Sequence, residues 1–90
     1  MFVQVEHDVL DRDGWKKLSS EWSGPPPGYT LLSSVTTKDH AKMFCLWEVD
    51  SVEALSTVLD AQTKSVLKNT YFAIDDKAPL TTLPHEAVAR

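Results

Sequence analysis

The stretch Lys42-Met43-Phe44-Cys45-Leu46-Trp47-Glu48-Val49 decides the architecture. Read with a period of two, it places Met43, Cys45, Trp47 and Val49 on one side and Phe44, Leu46 and Glu48 on the other. A strand that is apolar on both sides must be covered on both sides. The rest of the chain therefore has to supply two layers around it.

Outward from that strand, the element order follows from local signals. Tyr29 to Thr37 is rich in Thr, Val, Tyr and Leu and reads as the preceding strand, joined to it by the turn Lys38-Asp39-His40-Ala41. Asp50-Ser51-Val52-Glu53 reads as a helix start, with Asp50 and Glu53 placed for a capping box. The helix carries Val52, Leu55 and Leu59, extended to Val66, on one face, and Leu67 to Ile74 forms the last strand. At the other end, Val3 and Val5 alternate within Phe2 to His7, a first strand. Asp11 or Asp13 then caps a helix to about Trp22, with Trp15, Leu18 and Trp22 as its apolar stripe and Gly14 softening its first turn. Ser23-Gly24-Pro25-Pro26-Pro27-Gly28 ends that helix, because prolines offer no amide donor and Gly24 suits a left-handed cap.

The order is β-α-β-β-α-β. Right-handed crossovers put the strands of such a chain in the sequence 4-1-3-2, a ferredoxin-like α+β arrangement with both helices on one face of an antiparallel sheet. The second face then needs cover from a second copy, so a homodimer with stacked sheets, a dimeric α/β barrel, is expected. Residues 1–76 make the domain and residues 77–90 an irregular, expendable tail, with one helical turn expected over His85-Arg90.

Composition narrows the classes. Ninety residues make one domain with a thin core. A single cysteine excludes an internal disulfide and suits a reducing, cytoplasmic setting. The N-terminus lacks the basic start and apolar run of a signal peptide, and no apolar run approaches the roughly 20 residues that span a bilayer. A net charge of −4 without a basic stripe argues against nucleic-acid binding. No Gly-rich phosphate loop, CxxC, HExxH or Gly-x-Ser-x-Gly occurs, which removes the kinase, zinc-finger and common hydrolase readings.

The residues Lys42-Met43-Phe44-Cys45-Leu46-Trp47-Glu48, followed by Ser51-Val52-Glu53-Ala54, resemble the small nickel-binding ferredoxin-like proteins otherwise described as a domain of unknown function. Phe2-Val3-Gln4-Val5-Glu6-His7 is similar to their first strand. This chain has Glu6 where those proteins often carry a second histidine, and Lys64 to Thr70 in place of a His/Gly-rich segment. The resemblance implies a dimeric α/β barrel and a divalent transition metal such as nickel, with His7 as a ligand. A broader likeness is to the cofactor-free monooxygenases of the same superfamily.

Candidate site residues are His7, Glu48, Trp47 and Cys45. His7 ends the first, central strand, where a histidine serves as metal ligand, general base or hydrogen-bond partner. Its companions depend on register. Pairing odd with even positions sets His7 beside Glu48; pairing like with like sets it with Cys45 and Trp47 and turns Glu6 and Glu48 the other way. The sequence leaves both registers open. One of Ser33 and Ser34 must also point inward. The leading function is a small-molecule or metal-ion binding protein with a pocket between sheet and helices. The alternatives are a cofactor-free monooxygenase or isomerase, with His7 handling a proton of an acidic organic substrate, and a structural or regulatory dimer without a ligand.

Overall fold

Residues 1–84 are described by a computed structural model of the protein. The elements are β1 (Phe2–Val9), α1 (Arg12–Glu21), β2 (Thr30–Thr36), β3 (Lys42–Glu48), α2 (Val52–Gln62) and β4 (Leu67–Ile74). They form one four-stranded antiparallel sheet in the order β2-β3-β1-β4, the 4-1-3-2 order read from its other edge. The turn expected over His85-Arg90 lies outside the described residues. Among the described residues, no helix is long and apolar enough to cross a membrane.

Register sorts every strand residue. In β1–β3, Val3 faces Trp47, Val5 faces Cys45 and His7 faces Met43, so odd positions pair with odd. In β1–β4, Val5 faces Tyr71 and His7 faces Asn69. Val3, Val5, Cys45, Trp47 and Val49 therefore share the helix side, where they form the core with Leu55 and Leu59 of α2. Phe2, Gln4, Glu6 and Asp8 share the opposite face with Lys42, Phe44, Leu46 and Glu48. There the Lys42 ammonium donates to Glu6 Oε2 at 2.6 Å and Asp8 Oδ1 at 2.8 Å. Opposite charges on neighbouring strands lock the His7 end of the pair in register.

The two helices are held differently. α2 begins at Ser51, whose Oγ accepts from the Ala54 amide at 3.1 Å. This corrects the Asp50–Glu53 capping box: with Val52 as the first helical residue, Ser51 holds the cap and Glu53 falls one position short of the reciprocal bond. Glu53 instead adds an acidic group to the first turn, which favours the helix dipole. Val66 lies beyond the end of α2, in the turn before β4. α1 is capped by Asp11, whose Oδ1 accepts from the Gly14 amide at 3.1 Å. A side chain at Gly14 would bring its Cβ to 2.5 Å from Asp11 Oδ2 and 3.1 Å from Val66 Cγ2. Glycine here preserves the cap, a gain that offsets its poor helix propensity. Arg12 Nη2 donates to Asp39 O at 2.7 Å and the Trp15 ring tilts against His40, centroids 5.4 Å apart, so the β2–β3 turn holds the first half of α1. Yet α1 contains no buried residue. It covers the sheet without closing onto it.

The tail is irregular after Ile74 but not uniformly loose. Leu80 is fully exposed at a positive φ, whereas Leu83 is only 2% exposed. Leu83→Ala is therefore expected to lower unfolding free energy by about 2–4 kcal/mol, and Leu80→Ala to change it by less than about 0.5 kcal/mol. Urea denaturation of the two variants checks this, and equal losses would refute it.

Candidate functional site

A cavity of about 350 Å3 lies between α1 and the sheet. Its floor is the helix side of the central strands, with His7, Met43, Cys45 and Trp47. Trp15 and Leu18 of α1, with Trp22 just past its end, roof it; Leu59 and Gln62 belong to α2, and Thr63 and Leu67 follow at the same end. Ser34 and Thr36 come from β2, where a bulge between Leu31 and Ser33 shifts the register. Without that extra residue Ser33 would oppose Cys45; with it Ser34 does, and Ser34 Oγ sits 3.5 Å from Cys45 Sγ. Among the described residues, none that lines the cavity is an Asp, Glu, Lys or Arg.

His7 is 3% exposed, and its chemistry is set by a chain of hydrogen bonds that starts at a carboxylate. Asp60 Oδ1 accepts from Asn69 Nδ2 at 2.9 Å and from the Tyr71 hydroxyl at 2.7 Å. Asn69 Nδ2 also donates to Thr63 Oγ1 at 2.9 Å, because the Thr63 proton is committed to Leu59 O at 2.7 Å. With its NH2 fixed by two acceptors, Asn69 turns its oxygen toward His7 Nδ1, 2.5 Å away. That oxygen can only accept, so Nδ1 carries the proton and Nε2 the lone pair. Nε2 has no hydrogen bond among the described residues. Burial pushes the His7 pKa below its usual 6.5, opposed in part by the Asn69 bond, so the ring is neutral at pH 7.

The other polar groups follow the same logic. Burial pushes the Cys45 thiol up, with Ser34 opposing, so Cys45 stays protonated and is no nucleophile at neutral pH. Burial and the neighbouring Asp60 carboxylate also raise the Tyr71 phenol. The indole N–H groups of Trp15 and Trp47 are buried without a partner among the described residues, and both residues line the cavity. Each orphaned donor costs on the order of 1–3 kcal/mol.

Of the four candidate residues, His7, Cys45 and Trp47 meet at this cavity and Glu48 does not. Like-with-like pairing turns Glu48 to the opposite face, opposite Phe2 and exposed. Glu6 shares that face, bonded to Lys42. A metal site fits poorly. No group of three or more His, Cys, Asp or Glu converges among the described residues, one nitrogen of His7 is committed to Asn69, and the Cys45 thiol is held protonated. Sequence reading missed Asp60, Thr63 and Asn69; the signal available was the alternation Leu67, Asn69, Tyr71, which places an amide on the core side of β4.

A pH-dependent stability follows from His7. Its folded-state pKa is below the unfolded value, so between the two the unfolded chain binds the extra proton. Stability should be full above about 6.5, decline as pH falls below it, and level off once the folded ring is itself protonated. Denaturation midpoints between pH 7.5 and 5, expected to fall in the wild type and to flatten in His7→Leu, test the assignment. An identical slope in both proteins would reject it.

The chain matches no family model, no curated protein and no solved structure. The likeness to the nickel-binding proteins thus has no support from relatives. What stands is the ferredoxin-like α+β arrangement with a polar-tipped apolar cleft under α1.

Proposed function

We propose that the chain binds a small organic molecule in the cleft between α1 and the sheet. The observation that carries this reading is the cleft itself. Its volume of about 350 Å3 falls within the range of ligand sites, and its walls are apolar around a few polar groups, as in such sites. A purely structural domain would close α1 onto the sheet and gain the burial of Trp15, Leu18 and Trp22, roughly 25 cal/mol per Å2 of apolar surface. A metal ion is the weaker occupant, because the donors for one do not converge. Catalysis of the cofactor-free kind would require His7 to take a proton from the bound molecule, and so would rest on the same binding.

The test is thermal unfolding with a panel of neutral aromatic compounds. A ligand at a hundred times its Kd adds about 2.7 kcal/mol to the folded state, which raises Tm by roughly 10 °C or more in a domain of this size. Leu18→Trp, which fills the cleft from its roof, should retain the fold and lose the shift. A wild type that responds to no compound would defeat the proposal.

The face without helices favours a homodimer. Phe72 is 47% exposed and Val35 59% exposed on that face, beside the half-buried Phe2, Phe44 and Ile74. Stacking two such faces about a twofold axis would bury them together. Light scattering at micromolar concentration is expected to return twice the chain mass for the wild type. Phe72→Glu should return the single mass with the fold intact, since the position is already half exposed. A monomeric wild type would reject the dimer and leave the cleft reading untouched.

A further inference from the structure

The cleft reading leaves the class of ligand open, and the polar groups in its walls narrow that class. Among the described residues, fifteen line the cavity and none of them has an ionised side chain. A carboxylate or ammonium group entering it would lose its hydration and meet no counter-charge, a cost of several kcal/mol per ion. Among the described lining residues only His7 can supply a charge near neutrality, and burial holds it neutral. The occupant must therefore be uncharged.

The hydrogen-bonding valences then have a definite sense. Asp60 fixes the amide of Asn69, Asn69 fixes the proton of His7 on Nδ1, and Nε2 is left as an acceptor. The indole nitrogens of Trp15 and Trp47, which have no partner among the described residues, are themselves closed off from the cavity surface, so Nε2 is the polar atom that sets the sense of the bond. We propose that the cleft selects a neutral aromatic alcohol, a phenol- or enol-type ring whose hydroxyl donates to His7 Nε2. Aromatic walls from Trp15, Trp22 and Trp47 suit a planar ring by offset or edge contacts. This inference rests on the cleft being a ligand site.

Three probes of one shape separate the terms: naphthalene, 2-naphthol and 2-naphthoate, titrated by calorimetry into the full chain at pH 7.5. The expected order is 2-naphthol about tenfold tighter than naphthalene, the worth of one net hydrogen bond, with 2-naphthoate weaker than either. In His7→Leu the naphthol advantage should vanish while naphthalene still binds. The wild type carries its own readout should that variant fold poorly. On adding 2-naphthol, the His7 Nε2 nitrogen resonance should move toward the hydrogen-bonded position, and on adding naphthalene it should not. Naphthalene and naphthol binding equally, or naphthoate binding best, would overturn the inference and leave the cleft reading standing. If none of the three binds, both fall together.

Discussion

Antiparallel pairing of β1 with β3, His7 opposite Met43, is the constraint on which the other features depend. A slip of one residue would turn Val3, Val5 and His7 away from the helices and bring Phe2, Gln4 and Glu6 beneath them. A phenyl ring, an amide and a carboxylate would then occupy the space now filled by valines and a neutral imidazole. The Lys42 bridge to Glu6 and Asp8 would also break, since those three share a face only in the observed pairing. Apolar burial on one side and the ion pairs on the other therefore favour the same register. The partly exposed bridge adds little free energy by itself. Its part is to make the alternative worse.

From that register the contrast between the helices follows. α2 sets Leu55 and Leu59 into the cluster of Val3, Val5, Cys45 and Trp47, and its packing accounts for most of the core. α1 spans a wider gap. Its stripe is built of two tryptophans and one leucine, side chains too bulky to interdigitate easily above the smaller Cys45 and Ser34. Anchors at one end, namely Asp11, Arg12 and the Trp15–His40 contact, hold the helix over the sheet without drawing it down. The cleft is what remains. Its roof carries few buried contacts, the physical condition for a segment whose opening costs less than global unfolding.

Much of this was legible in the sequence. The doubly apolar β3, the alternation of β1, the proline stop after Trp22 and the span of β4 all follow from period and punctuation, and with right-handed crossovers they suffice for the strand order. Register was not legible, because β3 is apolar on both faces and hydrophobic pattern alone ranks the two pairings almost equally. With register unread, the partner of His7 stayed open between Glu48 and Cys45. The bulge at Leu32 was equally silent, since nothing in Leu31-Leu32-Ser33 marks an extra residue, and it decides which serine reaches the cleft. The α2 cap moved by one residue because Asp50 and Ser51 are both good caps, and the choice rests on where the chain leaves β3.

The buried histidine is the costliest choice in this core. Position 7 continues the series Val3, Val5, and a leucine there would bury apolar area with no polar group to satisfy. The chain instead places an imidazole, then commits Asn69, Thr63, Asp60 and Tyr71 to hold it in one tautomer. For stability alone that arrangement is inferior to an aliphatic side chain, since a satisfied buried hydrogen bond nets only about 1 kcal/mol and the desolvated ring loses that margin as pH falls. Its distinct product is directional. One nitrogen of the ring is occupied, the other carries a lone pair in a mostly apolar wall that also holds the hydroxyls of Ser34 and Thr36 and the amide of Gln62. The network reaches from an exposed carboxylate on α2 through β4 to the end of the central strand and terminates in a neutral base with one nitrogen free of protein partners among the described residues, the feature on which the proposed ligand site rests.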